Sequence, residues 1–265
     1  MLGQPKPNQN SLLLDVGNTS IKYAWYGYPD DIADLRVLKT SLDSLPELLE
    51  DAQQCYLCSV QSDEIAQAIE NMCKTQNIAF TLANTQKYQF GLSNAYSKHS
   101  NMGSDRWLGM LAGGALSQNN YLVIDAGTAI TCDFVVKHQH KGGWIAPGLS
   151  MARSSVVSNT KRVFDNDSLP HTLGLGIDTP DCVAQGALAQ LTGMIVQACS
   201  LMRTFDGKFD VFMSGGDSAL LIEAVSQLQK ILGNKANYTA PINYIENLVL
   251  VGLARLAHEK AATND

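Results

Sequence analysis

A six-residue segment near the start of the chain returns near its middle. Leu14-Asp15-Val16-Gly17-Asn18-Thr19 is echoed by Ile124-Asp125-Ala126-Gly127-Thr128-Ala129, and the two aspartates stand 110 positions apart in a chain of 265 residues. Each copy ends an apolar run, Leu12 to Leu14 or Tyr121 to Ile124, and precedes a β-rich run, Ile21 to Tyr26 or Ile130 to Val136. Both therefore read as strand, glycine turn and returning strand. A spacing near half the chain predicts two like-folded domains, each opening with a hairpin whose turn presents backbone N–H groups. Chance likeness between two hairpins would leave the same pattern; the half-chain spacing favours duplication.

The rest of the chain alternates strand and helix. Residues 55–60 read as a buried strand, and Ser62 to Gln76 carries Ile65, Ile69, Met72 and Cys73 at helical spacing behind a Ser62 cap. Residues 80–96 read as extended or looped, and Ser104 to Ser117 as a helix capped by Ser104. Thr179-Pro180 predicts a helix start, a capping hydroxyl followed by proline at the first helical position, running to about Thr204. Phe209 to Met213 reads as a strand entering Ser214-Gly215-Gly216-Asp217, with helices near 218–232 and 247–260. An α/β chain follows, with a boundary near 118. The expected domains are residues 11–118 and 119–265 after a flexible tail, 1–10, leaving open that the last helix packs back on the first domain.

Composition narrows the ligands. With 19 Lys+Arg against 25 Asp+Glu the net charge is −6, and only 17% of residues are charged, which excludes binding nucleic acid or membrane by bulk attraction. Any anion must be held locally. No run approaches the ~18 consecutive apolar residues of a spanning helix, and Arg255 stops the best one, Leu248 to Ala254. The polar start, MLGQPKPNQN, lacks a signal-peptide core, so a cytoplasmic location without a membrane partner is expected. The six cysteines show no framework spacing; Cys55 and Cys58 form a C-x-x-C inside a strand, where residues three apart face opposite ways.

Four glycine-bearing segments are placed to gather ligand groups: Asp15 to Thr19, Gly103-Ser104-Asp105-Arg106, Asp125 to Thr128, and Ser214-Gly215-Gly216. There is no Gly-x-x-x-x-Gly-Lys-Ser/Thr loop, and no Gly-x-Gly-x-x-Gly follows the first strand. Gly148-Leu149-Ser150-Met151-Ala152 lacks the last glycine of a nucleophile elbow. His138-Gln139-His140 imitates a metal pair but falls where a polar hairpin loop is expected, with no further ligands at hand. The first turn has a phosphate logic. Gly17 permits close backbone approach, Asn18 tolerates unusual dihedrals, Thr19 adds a hydroxyl and Lys22 adds charge, while Asp15 can hold hydrated Mg²⁺ against phosphate oxygens. An ordinary tight hairpin would use the same residues.

Two Asp-x-Gly hairpins and a later strand opening into Ser-Gly-Gly form the pattern of the actin-like phosphotransferases. More closely, the chain from Leu12 to its last helix resembles type III pantothenate kinases. The resemblance is carried by DVGNTSIK (15–22), Tyr96 seven residues before GSDR (103–106), DAGTA (125–129), GGWIAPG (142–148) and Gly176-Ile177-Asp178-Thr179. It implies two ribonuclease H-like (actin-like) domains with mixed sheets flanked by helices and an interdomain active-site cleft. The implied reaction is ATP-dependent phosphorylation of the primary hydroxyl of pantothenate, the first committed step of coenzyme A synthesis. By the same resemblance Asp15, Val16, Gly17, Asn18, Thr19, Ser20, Ile21, Lys22 and Thr128 would contact ATP. Tyr96, Gly103, Ser104, Asp105, Arg106 and Thr179 would contact pantothenate. Asp105 would accept the proton, and Asp125 would bind an activating monovalent cation, K⁺ or NH₄⁺, with Mg²⁺ accompanying the nucleotide. Family members are homodimers whose pantothenate pocket involves the partner, which would place Thr179 across the interface.

The chemistry agrees with these roles. A loose phosphoryl-transfer transition state needs positioning and charge neutralisation more than a strong base, so a carboxylate at Asp105 suffices. Arg106 offers a planar fork for the pantothenate carboxylate. Each residue also has a plainer reading: Asp105 as a first-turn helix residue, Thr179 as a cap, Tyr96 as a packed aromatic. The family usually has proline where this chain has His99, which puts the stiffness of the substrate loop in doubt. The alternatives are a non-enzymatic relative akin to the Bvg accessory factor, and another actin-like kinase acting on a sugar or acetate.

Overall fold

The structure is a computed structural model describing residues 10–17, 20–160, 164, 170, 172–232 and 240–263. Residues 1–9 of the expected tail, and Asn18 and Thr19 of the first turn, lie outside them. Asn10, the last tail position, accepts backbone bonds from Gln53 and Gln54. The chain divides into two compact units, Met1–Leu116 with Asn247–Asp265, and Ser117–Glu246.

The first unit contains β1 (Ser11–Val16), β2 (Ile21–Tyr26), β3 (Leu38–Thr40), α1 (Leu45–Leu49), β4 (Gln54–Ser59), α2 (Asp63–Thr75), β5 (Ala79–Leu82), a short hairpin β6 (Tyr88–Gln89) and β7 (Leu92–Ser93), and α3 (Ser104–Leu116). Its main sheet runs β3-β2-β1-β4-β5; β1 pairs antiparallel with β2 and parallel with β4. Helix α2 follows an extended Ser62, carries Asp63 and Glu64 in its first turn and Lys74 in its last, matching the helix dipole at both ends. Ile69 and Cys73 of α2 meet Leu12, Leu14, Val16, Cys55 and Leu57 in one core. Side chains alternate along a strand, so Leu13, Asp15, Tyr56 and Cys58 point to the opposite face.

The second unit contains β8 (Asn120–Ala126), β9 (Ala129–Val136), β10 (Gln139–Pro147), α4 (Leu149–Ser158), α5 (Thr179–Met202), β11 (Phe209–Ser214), α6 (Ser218–Leu232) and β12 (Ile242–Tyr244). Its strands run β12-β11-β8-β9-β10. Strand β8 pairs antiparallel with β9 and parallel with β11, and β12 is parallel to β11, so the order and directions repeat those of the first unit. The echo is thus a shared topology, with one difference in length. Register pairs Val16 with Ile21 but Ala126 with Ile130, so the first turn is one residue longer. Helix α5 has 24 residues and is apolar enough by length and composition to cross a membrane. Its apolar side, Leu188, Leu191, Ile195, Cys199 and Met202, instead closes the core over β8 and β9.

Two local readings change. Thr179 is not the cap of α5: it is the first helical residue, and the Asp178 carboxylate accepts from the Asp181 N–H at 3.1 Å. A carboxylate outcompetes a hydroxyl there because it also meets the helix dipole. Likewise Ser104 is the first residue of α3 rather than its cap, and the first helical bond runs from the Trp107 N–H to the Gly103 carbonyl, 3.2 Å. The histidines also separate. Lys137 and His138 form a two-residue turn with φ of 50° and 58°. His140 leaves that loop for β10, where it is buried with Nε2 3.1 Å from Asp133 Oδ1.

Helix α7 (Leu248–Ala262) belongs to the first unit. With α3 it covers the sheet face that carries Asp15, Tyr56 and Cys58. The contact is close because Gly252 lies against the backbone of Leu108.

Candidate functional site

In the first unit, the carboxyl ends of β1 and β4 meet the amino ends of α3 and α7. Asp15 and Cys58 are direct partners in the parallel pair, and Asp15 faces Lys22 across the hairpin. Asn247, the cap of α7, uses its two side-chain atoms separately: Oδ1 accepts from the Leu250 N–H at 2.8 Å, and Nδ2 donates to Asp15 Oδ2 at 2.8 Å. Burial pushes the Asp15 carboxyl above its ordinary value; the Asn247 bond and the Lys22 charge oppose this, and Asp105 adds to it. The turn itself is closed by the Gly17 N–H to the Ser20 carbonyl, 3.2 Å, and Gln61 Nε2 donates to the Gly17 carbonyl. Val16 is a core residue and Ile21 packs against that core, so those two positions offer a ligand only backbone groups.

Cys58 links this corner to α3. Its thiol lies 3.4 Å from the Ser104 hydroxyl, and burial, then the charge of Asp15, raise its pKa, keeping it a neutral thiol. Asp105 follows, with Oδ1 accepting from the Arg106 N–H at 2.8 Å, and its carboxylate lies over Gly103, where a β-carbon would collide with it. Arg106 is buried, donates from Nη1 to the Tyr96 hydroxyl at 3.1 Å, and places its guanidinium carbon 6.0 Å from the centre of that ring. The first unit therefore brings together Asp15, Lys22, Tyr96, Gly103, Ser104, Asp105 and Arg106. The turn over His99–Asn101 is held without proline by bonds from the Asn101 and Met102 N–H groups to the Lys98 and His99 carbonyls, each 3.0 Å.

The second unit repeats the corner with different chemistry. Asp125 pairs with Ser214 in the parallel ladder, and the Ser214 hydroxyl donates to Asp125 Oδ1 at 3.0 Å. Two glycines seat the following turn. Gly148 donates its N–H to the Thr128 carbonyl at 3.0 Å, and a β-carbon there would collide with the Gly127 carbonyl. Gly215, at φ of 104°, lies so close to Ala126 that only hydrogen fits. Thr128 is exposed at the turn. Thr179 stands elsewhere in this unit, on the wall of an apolar cavity of about 500 Å³ between α4 and α5, with Ala152, Val156, Cys182 and Val183.

The donor chemistry can be tested against the cations. Asp15 is a half-buried carboxylate whose neighbours, an amide and one lysine, leave it short of positive charge, a setting that suits a hydrated Mg²⁺. Asp125 and Ser214 offer carboxylate and hydroxyl oxygens, a hard-donor set. Among the described residues no group of three or more His, Cys, Asp or Glu could enclose a metal ion, so a cation would complete its shell with backbone, water or ligand oxygens. Sequence reasoning missed Asn247, Gln61, Cys58 and the bond from Ser214 to Asp125. Asn247 was visible as a cap ahead of an apolar run, but nothing local ties it to Asp15.

Comparison with known proteins matches this chain over residues 11–200 to the family of type III pantothenate kinases. A type III pantothenate kinase of Pseudoalteromonas atlantica is 36% identical over 248 residues, covering 92% of this chain and 96% of its own. One from Ectopseudomonas mendocina is 32% identical, covering 92% and 97%. Among solved structures, a protein of Campylobacter jejuni described as a Baf family transcriptional activator shares the fold at TM-score 0.55 and 20% identity, covering 96% of this chain and 100% of its own. A Listeria monocytogenes protein described as an N-acetylmannosamine kinase does so at TM-score 0.51 and 14% identity, covering 92% and 97%.

Proposed function

Because this chain belongs to the type III pantothenate kinase family, and is thus an enzyme that phosphorylates pantothenate with ATP in coenzyme A biosynthesis, we propose that Asp105 is its proton acceptor. The primary hydroxyl oxygen of pantothenate bonds to the γ-phosphorus, the bond from that phosphorus to the ADP oxygen breaks, and the hydroxyl proton passes to the Asp105 carboxylate. The observation that carries this reading is the corner of the first unit, where Asp15 is the ladder partner of Cys58, the Cys58 thiol lies 3.4 Å from the Ser104 hydroxyl just before Asp105, and Arg106 lies against Tyr96. One carboxylate suits the nucleotide side and the other the acceptor side. Asp15 to Lys22 and Thr128 hold the ATP phosphates, with Asn18 and Thr19 carried by the sequence resemblance alone. Bound Mg²⁺ would supply charge neutralisation on the phosphate oxygens, and Asp15 is the residue suited to hold it. Tyr96, Gly103, Ser104 and Arg106 bind pantothenate, with the guanidinium toward its carboxylate.

Asp125 binds the monovalent cation, supported by its hydroxyl partner Ser214. A second copy of the chain covers the α4–α5 cavity, whose neighbourhood exposes Met151, Val156, Leu175 and Ile177, and that copy brings Thr179 to the other protomer's pantothenate. The accessory-factor reading gains nothing from a structural likeness at 20% identity, which speaks to fold.

The test is direct. Purified protein with ATP, Mg²⁺ and K⁺ converts pantothenate to 4′-phosphopantothenate, and Asp105→Asn lowers kcat by roughly 10²–10⁴ with an unchanged circular dichroism spectrum. A wild-type kcat in that variant removes the base assignment. Activity indifferent to exchanging K⁺ for Na⁺ removes the role of Asp125, and a monomer mass by light scattering removes the shared pocket.

A further inference from the structure

Tyr96, on the pantothenate side of the corner, is held there by the chain that precedes it. The segment before it is a hairpin: Tyr88 pairs with Ser93 and Gln89 with Leu92 around a turn in which Phe90 and Gly91 have φ of 47° and 83°. The ladder continues one step further, since the Asn94 N–H donates to the Lys87 carbonyl at 2.9 Å. The hairpin is tied to α3 by the Trp107 indole N–H, which donates to Gln89 Oε1 at 2.9 Å. Past Asn94 the ladder ends and the chain has two more residues to reach Tyr96.

Lys87 and Asn94 fix those residues from both sides. Asn94 is buried; its Oδ1 accepts from the Tyr96 N–H at 2.9 Å, and its Nδ2 points at the Met102 sulfur at 3.4 Å. Met102 is itself held, its carbonyl accepting from the Thr85 hydroxyl at 2.9 Å. The carbonyls of Asn94 and Tyr96 both receive the same ammonium: Lys87 Nζ is 2.9 Å from the first and 3.1 Å from the second. An ammonium suits this place because its three donors turn freely on a flexible stem, and a charged donor strengthens each bond to a carbonyl.

We propose that Lys87 is a positioning residue for substrate binding: by bridging the Asn94 and Tyr96 carbonyls it fixes the loop that sets Tyr96, and through Tyr96 the Arg106 fork, against pantothenate. This rests on the reading that Tyr96 binds pantothenate. The lysine does not touch the reacting atoms and acts through order in the loop, so its loss weakens pantothenate binding and leaves the nucleotide side alone.

Steady-state kinetics of Lys87→Met, Lys87→Arg and Tyr96→Ala, with amide hydrogen exchange across residues 94–96, test this. Lys87→Met is expected to raise the KM for pantothenate about tenfold, the worth of one or two charge-assisted bonds, with kcat and the KM for ATP within about twofold. Lys87→Arg is expected to recover most of the loss. On the Tyr96→Ala background Lys87→Met is expected to add little further loss; a full additional penalty there would mean that Lys87 attracts the carboxylate by charge rather than through the loop, and overturns the proposal. So does an unchanged pantothenate KM in Lys87→Met when Tyr96→Ala raises it. If Tyr96→Ala leaves the KM unchanged, the substrate role of Tyr96 is what fails. The clamp is then decided by exchange alone: a faster Tyr96 amide in Lys87→Met supports it, and an unchanged one overturns it.

Discussion

Replacing Gly252 by alanine puts a methyl group where α7 touches α3. An ideal β-carbon there would stand 2.8 Å from the carbonyl carbon and 2.9 Å from the β-carbon of Leu108, and closer still to the carbonyl oxygen. Two of these three atoms are helix backbone, so relief requires one helix to slide against the other. Two effects of opposite sign compete. Alanine in a helix interior is favoured over glycine by about 0.8–1 kcal/mol, whereas overpacking costs about 1–3 kcal/mol, with backbone atoms pointing to the upper end. The net is a loss of about 1–2 kcal/mol, or a fall in Tm of roughly 2–8 °C at the ~2–4 °C per kcal/mol expected for this size range. Gly193 is the control: it is exposed on α5, and its β-carbon would meet nothing within 4 Å. Gly193→Ala keeps only the propensity gain, up to ~1 kcal/mol, and raises Tm. Because Asn247 caps α7 and holds Asp15, the slide in Gly252→Ala is also expected to raise the KM for ATP. Calorimetry of the three proteins decides the matter. If Gly252→Ala raises Tm as Gly193→Ala does, the close approach of α3 and α7 is refuted.

The remaining predictions concern charge. Asp15 has a folded pKa raised above the ordinary 3.8, chiefly by burial, so its stabilising contribution is full below that value and lost as pH rises through the folded pKa. At pH 7.5, above the ordinary value, the group is therefore a net cost to folding, and Asp15→Asn is expected to raise the Tm of nucleotide-free protein while abolishing kinase activity; a lowered Tm in differential scanning fluorimetry refutes the sign. Tyr26, with its hydroxyl 2.6 Å from His258 Nδ1, is pushed up to about 12 by burial first and by Asp30 next. Its contribution is full below pH 10 and declines toward pH 12, so urea titrations should show a steeper decline in wild type than in Tyr26→Phe, where Tyr56 and Cys58, also raised by burial, still contribute. Ser214→Ala removes the hydroxyl bond to Asp125 and is expected to weaken activation by K⁺ severalfold without changing the pantothenate KM; an unaltered K⁺ titration counts against the cation site. Arg106→Lys keeps the charge but loses the planar fork, and should raise the pantothenate KM by about tenfold or more; a wild-type value would show that charge alone is read there.

Most of the strands, and the candidate residues that sit in turns, were legible because their signals are local. An apolar run ending in Asp-x-Gly specifies strand and turn whatever lies around it, and Gly103 to Arg106 opens a helix on its own residues. His140 was misplaced because a polar residue two steps past a turn looks like loop; burial beside Asp133 becomes visible only when β9 and β10 pair. The caps of α3 and α5 each missed by one position, since several capping residues stood side by side and the geometry chose among them. Asn247 and Asp15 are 232 positions apart, and no periodicity reaches across that distance.

By itself, then, the sequence determined the two hairpins, the helices that follow them and the family to which such an arrangement belongs, because hydrophobic alternation and turn chemistry act over a few residues. Only the tertiary structure decided which groups share a corner. Parallel pairing set Cys58 beside Asp15 and Ser214 beside Asp125, and the return of α7 brought Asn247 to a carboxylate that burial would otherwise leave costly. These are contacts between residues far apart in the chain, fixed by strand register and by how closely Gly252 lets two helices approach.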